Sequence, residues 1–148
     1  MINARKSLIW WIAAVVIMVA ADRFWPVSWW IDVGPIHVED AEIGVPPRMK
    51  VHRTINRSFY GAWRVEIEKV SPTGGFVFVP PHAYGENLYE PQNELPDPLD
   101  LEWWGTPAMA RPEPGFYRLE TCWKILPKLF SPRRFCKTSN VFEVRSAN

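Results

Sequence analysis

Pro114-Gly115-Phe116-Tyr117-Arg118-Leu119-Glu120-Thr121-Cys122-Trp123-Lys124-Ile125 is the stretch whose reading decides the fold. Tyr117, Leu119, Thr121, Trp123 and Ile125 alternate with Phe116, Arg118, Glu120, Cys122 and Lys124. One parity is mostly apolar and the other mostly charged, the two-residue period of a strand with one buried face. Pro114-Gly115 is a turn signal just before it. Further on, Ser139-Asn140-Val141-Phe142-Glu143-Val144 is β-branched and aromatic and reads as a short final strand. The chain therefore predicts two strands folded back on each other, residues 115–125 and 136–144. Residues 126–134, with Pro127 and Pro132, form the connection.

Cys122 and Cys136, the only cysteines, bracket that connection with 13 residues between them. A bond closing such a loop stabilises a domain by about 3 kcal/mol on chain-entropy grounds. Such bonds persist outside the reducing cytoplasm. Parity raises a difficulty, because Cys122 lies on the charged parity of its strand whereas Cys136 shares the parity of Phe142 and Val144. Two resolutions are open: a bulge near residues 138–140 that flips the register, or a pair lying beyond the paired strands. The bond is expected if the domain lies outside the cytoplasm.

The 148 residues allow one domain of about 110 to 120 residues and an anchor. A formal net charge of +1 argues against a nucleic-acid partner. Fifteen prolines disfavour long helices and favour short strands with rigid connections.

Arg5 and Lys6 precede a charge-free run, residues 7–21. As a helix, that run reaches about 22 Å, short of a hydrocarbon core of roughly 30 Å. Asp22 and Arg23 extend it if they snorkel, with Phe24, Trp25, Trp29 and Trp30 at the interface and Trp10 and Trp11 near the other end. One reading is a retained signal anchor with its basic end in the cytoplasm. Another is a signal peptide cleaved at Val19-Ala20-Ala21. A buried core helix of a soluble protein is the third. The tryptophans past Ala21, and the missing polar stretch before the cut, weigh towards retention.

Residues 31–40 read as an edge strand broken by Gly34-Pro35. Met49, Val51, Arg53 and Ile55 share one face of the next strand, and Asn56-Arg57-Ser58 makes a turn. Residues 59–70 give the clearest strand, with Trp63, Val65 and Ile67 alternating against Arg64, Glu66 and Glu68. Residues 76–79 form another, stopped by Pro80-Pro81, and loops dominate from there to Pro114. Leu99, Leu101 and Trp103 alternate and suggest one strand within those loops. About seven short strands, Gly/Pro-rich turns and no helical pattern after Ala21 predict an all-β chain. The expected fold is an immunoglobulin-like antiparallel β-sandwich preceded by one N-terminal transmembrane helix. Trp63 and Tyr117 fit that architecture, but a cysteine pair joining neighbouring strands does not.

The pattern Gly61-x-Trp63-x-Val65-x-Ile67, then Pro114-Gly115-x-Tyr117-x-Leu119-x-Thr121-x-Trp123, then Cys136-x-x-Ser139-Asn140-x-Phe142-x-Val144 resembles small single-pass membrane proteins carried by phages and prophages of proteobacteria. The resemblance covers nearly the whole chain and rests on strand and turn signatures. It implies a bacterial inner-membrane setting and a periplasmic immunoglobulin-like domain, and no site residues carry over. The organisation expected is a cytoplasmic N-terminus (1–6), a transmembrane signal anchor (7–25), a juxtamembrane linker (26–32) and an extracytoplasmic domain (33–148).

No catalytic, cofactor or metal motif is legible. His37, His52 and His82 lack metal-ligand spacing, the cysteines are not a CxxC, and no phosphate loop or nucleophile elbow occurs. Glu66 and Glu68 flank Arg64 on an outward parity and read as a solvated face. Charge, however, is segregated. Glu86, Glu90, Glu94, Asp97, Asp100, Glu102, Glu113 and Glu120 face only Arg111 and Arg118 along residues 83–120. Lys124, Lys128, Arg133, Arg134, Lys137 and Arg145 then face only Glu143. Lys124, Lys128, Phe130, Arg133, Arg134 and Lys137 are therefore candidate contacts to a membrane or an acidic partner, unless they merely pair with the acidic stretch.

Trp103, Trp104, Tyr84 and Tyr89 are candidate stacking platforms for a glycan. The expected function is a non-enzymatic recognition or accessory module, presented in the periplasm to a membrane-protein or envelope partner. The alternative is an envelope or cell-wall glycan-binding module. Expected partners are the lipid bilayer and an integral-membrane or envelope protein, with no nucleic acid and no cofactor.

Overall fold

One helix, α1 (Ala4–Phe24), is long and apolar enough to cross a membrane over Lys6–Phe24, 19 residues. It continues without a break through Asp22 and Arg23, so its reach is about 28 Å rather than that of the uncharged run alone. None of that span is buried against the rest of the chain, and Trp10 and Trp11 are exposed. The computed structural model describes residues 4–107, 111–128 and 130–146, with side chains from Lys6 onward. Residues 1–3, the Arg5 side chain and Leu129 lie outside the described residues.

A short 3-10 turn (Val27–Trp29) leads into a chain that is mostly strand. The strands are β1 (Ile31–Val38), β2 (Ala41–Glu42), β3 (Arg48–Ile55), β4 (Phe59–Val70), β5 (Phe76–Tyr89), β6 (Leu99–Asp100), β7 (Gly115–Leu126), β8 (Arg133–Thr138) and β9 (Phe142–Arg145). They form a three-stranded sheet, β1-β3-β6, and a six-stranded sheet, β2-β9-β7-β4-β5, with β8 also on β7. As Gly34-Pro35 suggests, the β1 register shifts between Val33 and Ile36. Buried side chains from both sheets form one core. Leu119 and Ile125 of β7 are 0% exposed, and Phe142 of β9 and Ile31 and Val38 of β1 are almost as deeply buried. Each such side chain contributes roughly 1.5–3 kcal/mol by leaving water.

The hairpin follows the bulge resolution of the parity conflict. Cys122 faces Cys136 in β7–β8, whereas Tyr117 faces Phe142 in β7–β9. Between Glu120↔Thr138 and Tyr117↔Phe142, three steps along β7 are matched by four along its partner. The extra residue flips the parity and returns Phe142 and Val144 to the core. Ser139 repairs the ladder, because the Leu119 N–H donates to its Oγ (2.9 Å) and its own N–H donates to the Leu119 carbonyl (2.8 Å). Asn140 ties the sheets together. Its Oδ1 accepts from the Val38 N–H (2.8 Å) and its Nδ2 donates to the Val38 carbonyl (2.9 Å), replacing the peptide partner that β1 lacks there. At the start of β7, the Tyr117 hydroxyl donates to the Glu113 carbonyl (2.7 Å).

Four expectations need correction. β5 does not stop at Pro80-Pro81 but runs on to Tyr89. Among the described residues it pairs only with β4, so prolines without N–H groups are tolerated, and the β4–β5 register shifts between Val65 and Ile67 to absorb them. The alternation of Leu99, Leu101 and Trp103 is not one strand: β6 is two residues, and α2 (Leu101–Trp104) follows. The Asp100 carboxylate caps α2 by accepting from the Trp103 N–H (2.9 Å). β8 begins at Arg133, earlier than the expected strand at 136. Finally, the strands are not all antiparallel, since β2 pairs with β9 in parallel.

Candidate functional site

Five aromatic side chains converge on a cleft between the sheets. Its inner lobe, about 150 Å³, is lined by Arg53 of β3, Trp63 and Val65 of β4, and Asn87 and Tyr89 of β5. Trp103 and Trp104 of α2 and Thr121 and Trp123 of β7 complete the wall. An outer lobe, about 300 Å³, adds Leu88, Asn93 and Glu94 and shares Arg53, Asn87, Tyr89 and Trp103.

Helical geometry at α2 makes the site. In a strand, Trp103 and Trp104 would point to opposite faces, whereas consecutive helical residues are only about 100° apart, so both reach the cleft. Trp104 is buried, and its Nε1 donates to the Thr121 Oγ1 (2.8 Å), satisfying the one buried polar side chain among the described residues. Its ring meets Trp123 edge-on with centroids 6.1 Å apart, and Trp123 stacks on Phe135 at 5.1 Å. Trp63 lies across β5 at Gly85, where a Cβ would stand 2.9 Å from the indole. Only glycine leaves room there. Trp103 remains 54% exposed at the mouth.

Arg53 sits between the lobes. Its Nη2 donates to the Asn93 carbonyl (3.0 Å), its guanidinium lies 5.8 Å from the Tyr89 ring centre, and its buried Nε has no partner among the described residues. Burial pulls its pKa down, although a guanidinium keeps its charge. Burial likewise pushes the Tyr89 hydroxyl up from 10.0 to about 12, against the opposing pull of Arg53 and of hydrogen bonds from Trp123 and Asn87. Since the unfolded phenol ionises first, this contribution to stability is complete below about pH 10 and is lost as pH climbs towards 12. Phenolate absorbance during an alkaline titration is expected to show a late component that Tyr89→Phe removes; an unchanged titration would contradict the burial.

The structure thus gathers Trp103, Trp104 and Tyr89 of the expected glycan contacts but not Tyr84. Tyr84 is 75% exposed on the outward face of β5, beside His82. Sequence reading missed Trp63, Trp123, Arg53, Asn87 and Thr121. Trp63 and Trp123 carried a usable signal, since both lie on core parities of strands that pair Trp63 with Trp123.

The basic candidates divide into two groups. Phe130 stacks on Trp25 with centroids 5.4 Å apart, and Lys128 lines a neighbouring recess. Lys124 and Arg134 face each other across β7–β8, with Arg133 and Lys137 on β8. Among the described residues, no ion pair joins this group to the acidic stretch. Glu66 and Glu68 are paired instead, with Arg64 and Arg118.

Cys122 and Cys136 lie at disulfide distance, their sulfurs 2.02 Å apart. With Glu120 they are the one triple of metal-capable donors among the described residues, but the disulfide occupies both sulfurs. No protein-family model matches the chain, nor does any curated protein or solved structure.

Proposed function

We propose that this protein is a membrane-anchored, non-enzymatic recognition module whose immunoglobulin-like domain offers the aromatic cleft to a saccharide of the cell envelope. The observation that carries the reading is the exposed Trp103 indole at the mouth of a cleft walled by Trp63, Trp104, Trp123 and Tyr89. Flat rings take the apolar faces of sugar rings, and a few converging polar groups, here Arg53, Asn87 and Thr121, fix orientation. The charge on Arg53 favours a carboxylated sugar.

Strand order supports the immunoglobulin-like assignment. β1-β3-β6 corresponds to A-B-E, and β9-β7-β4-β5 to G-F-C-C′. The bond from Tyr117 to Glu113 corresponds to the tyrosine corner at the start of strand F. The cysteine pair departs from that pattern by joining F to G. It supports an oxidising compartment, here the periplasmic side of a bacterial inner membrane, with α1 as the anchor and the N-terminus in the cytoplasm. A phage or prophage origin belongs to the same proposal.

The test is retention of the full chain, in detergent, on peptidoglycan or lipopolysaccharide. Wild type is expected to be retained and Trp103→Ala to lose about tenfold in affinity, the equivalent of about 1.4 kcal/mol. If neither material retains the wild type, the glycan reading fails. A second reading, an acidic protein partner, is favoured by Lys124, Arg134 and Lys137, which no acidic side chain of the described residues pairs. Crosslinking of membrane-embedded protein through those lysines would identify it.

A further inference from the structure

We propose a second binding site: a recess at the junction of α1 and the domain that takes the phosphodiester headgroup of a bilayer lipid. Arg57 and Lys128 would be its anion ligands. The recess is about 460 Å³ and is lined by Trp29, Trp30, Arg57, Tyr60, Lys128 and Phe130 among others. Arginine and lysine are its only ionisable side chains besides the Tyr60 phenol, whose hydroxyl already donates to Glu86 (2.5 Å). Neither cation forms an ion pair among the described residues. The Arg57 guanidinium is preorganised, lying 3.6 Å from the Trp29 ring centre.

Position selects the ligand. The loop that bears Lys128 and Phe130 is fastened to the end of α1, where the Ser131 N–H and Oγ both donate to the Asp22 carboxylate at 2.7 Å. Phe130 then stacks on Trp25 and meets Trp30 edge-on. The recess therefore opens at the level where an apolar helix leaves hydrocarbon and enters the headgroup layer. Tryptophans are favoured at that depth, and a tethered site meets headgroups at high effective concentration. Leu88, Leu126 and Pro127 give the same recess an apolar wall, which suits a lipid's glycerol and upper acyl chain better than free phosphate.

This inference rests on α1 as an anchor but is independent of the glycan reading. The experiment is native mass spectrometry of the full chain released from detergent with added phosphatidylglycerol, with parallel carbonate extraction of membranes. The wild type is expected to hold one lipid adduct that inorganic phosphate does not displace. Arg57→Gln with Lys128→Gln is expected to weaken it at least about tenfold, the worth of one charge-assisted hydrogen bond. Arg57→Lys with Lys128→Arg, which keeps both charges, restores it. Undiminished adducts in the double glutamine variant overturn the site. Displacement by inorganic phosphate overturns the lipid assignment. Release of the protein by carbonate overturns the anchor as well, so the two failures are told apart.

Discussion

Truncating Trp104 to alanine lowers the unfolding free energy by roughly 3–5 kcal/mol, measured as a fall in the urea midpoint at constant slope. The indole is buried among Trp103, Trp123 and the cleft wall, so its loss opens a cavity the sheets cannot close. It also strips the buried Thr121 hydroxyl of its donor. Trp103→Ala, half exposed and one residue away, is expected to cost less than about 1 kcal/mol. Equal losses in the two variants would show that α2 does not divide its tryptophans between core and mouth. The contrast decides which variant reports on ligand: Trp103 tests recognition, whereas Trp104 tests the fold.

Reducing the Cys122–Cys136 bond, or replacing both residues with alanine, is expected to lower stability by about 3 kcal/mol, the entropy of releasing the loop between them. Cys122 is buried while Cys136 is exposed. The bond should shield both sulfurs from an alkylating agent, and after reduction Cys136 should react before Cys122. A midpoint indifferent to reductant would mean that the hairpin is held by β7–β8 pairing and the Ser139 and Asn140 contacts alone.

Strand pattern was legible wherever one face of a strand is buried and the other solvated. β3, β4 and β7 run where alternation put them, because parity in those segments reports burial directly. Even the conflict between Cys122 and Cys136 is informative, since one of its two resolutions is an extra residue near 138–140, where the structure has it. Legibility failed where backbone chemistry overrides pattern. Pro80-Pro81 reads as a stop, yet an edge strand has no partner to miss their N–H groups. That error hid the separation of Tyr84 from Tyr89, which lie five residues apart on one strand and so on opposite faces. Leu101 to Trp104 has the alternation of a strand, but the Asp100 cap turns it into helix. The cleft itself was only partly visible. Exposed aromatics stand out in a sequence, whereas Trp63 and Trp123 pass for ordinary core, and Arg53 joins them only once both sheets are assembled.

The long outer edge of β5 bears on how copies of the chain sit beside one another. β5 pairs with β4 along one side, and the other side of its fourteen residues would normally template another copy and seed fibrils. Pro80 and Pro81 sit in the middle of that edge and offer no donors, so an incoming strand finds its zipper interrupted there. On the opposite border, β8 presents Arg133, Arg134 and Lys137, whose mutual repulsion discourages lateral stacking. Both borders of the sheet thus carry features that discourage a further strand from pairing.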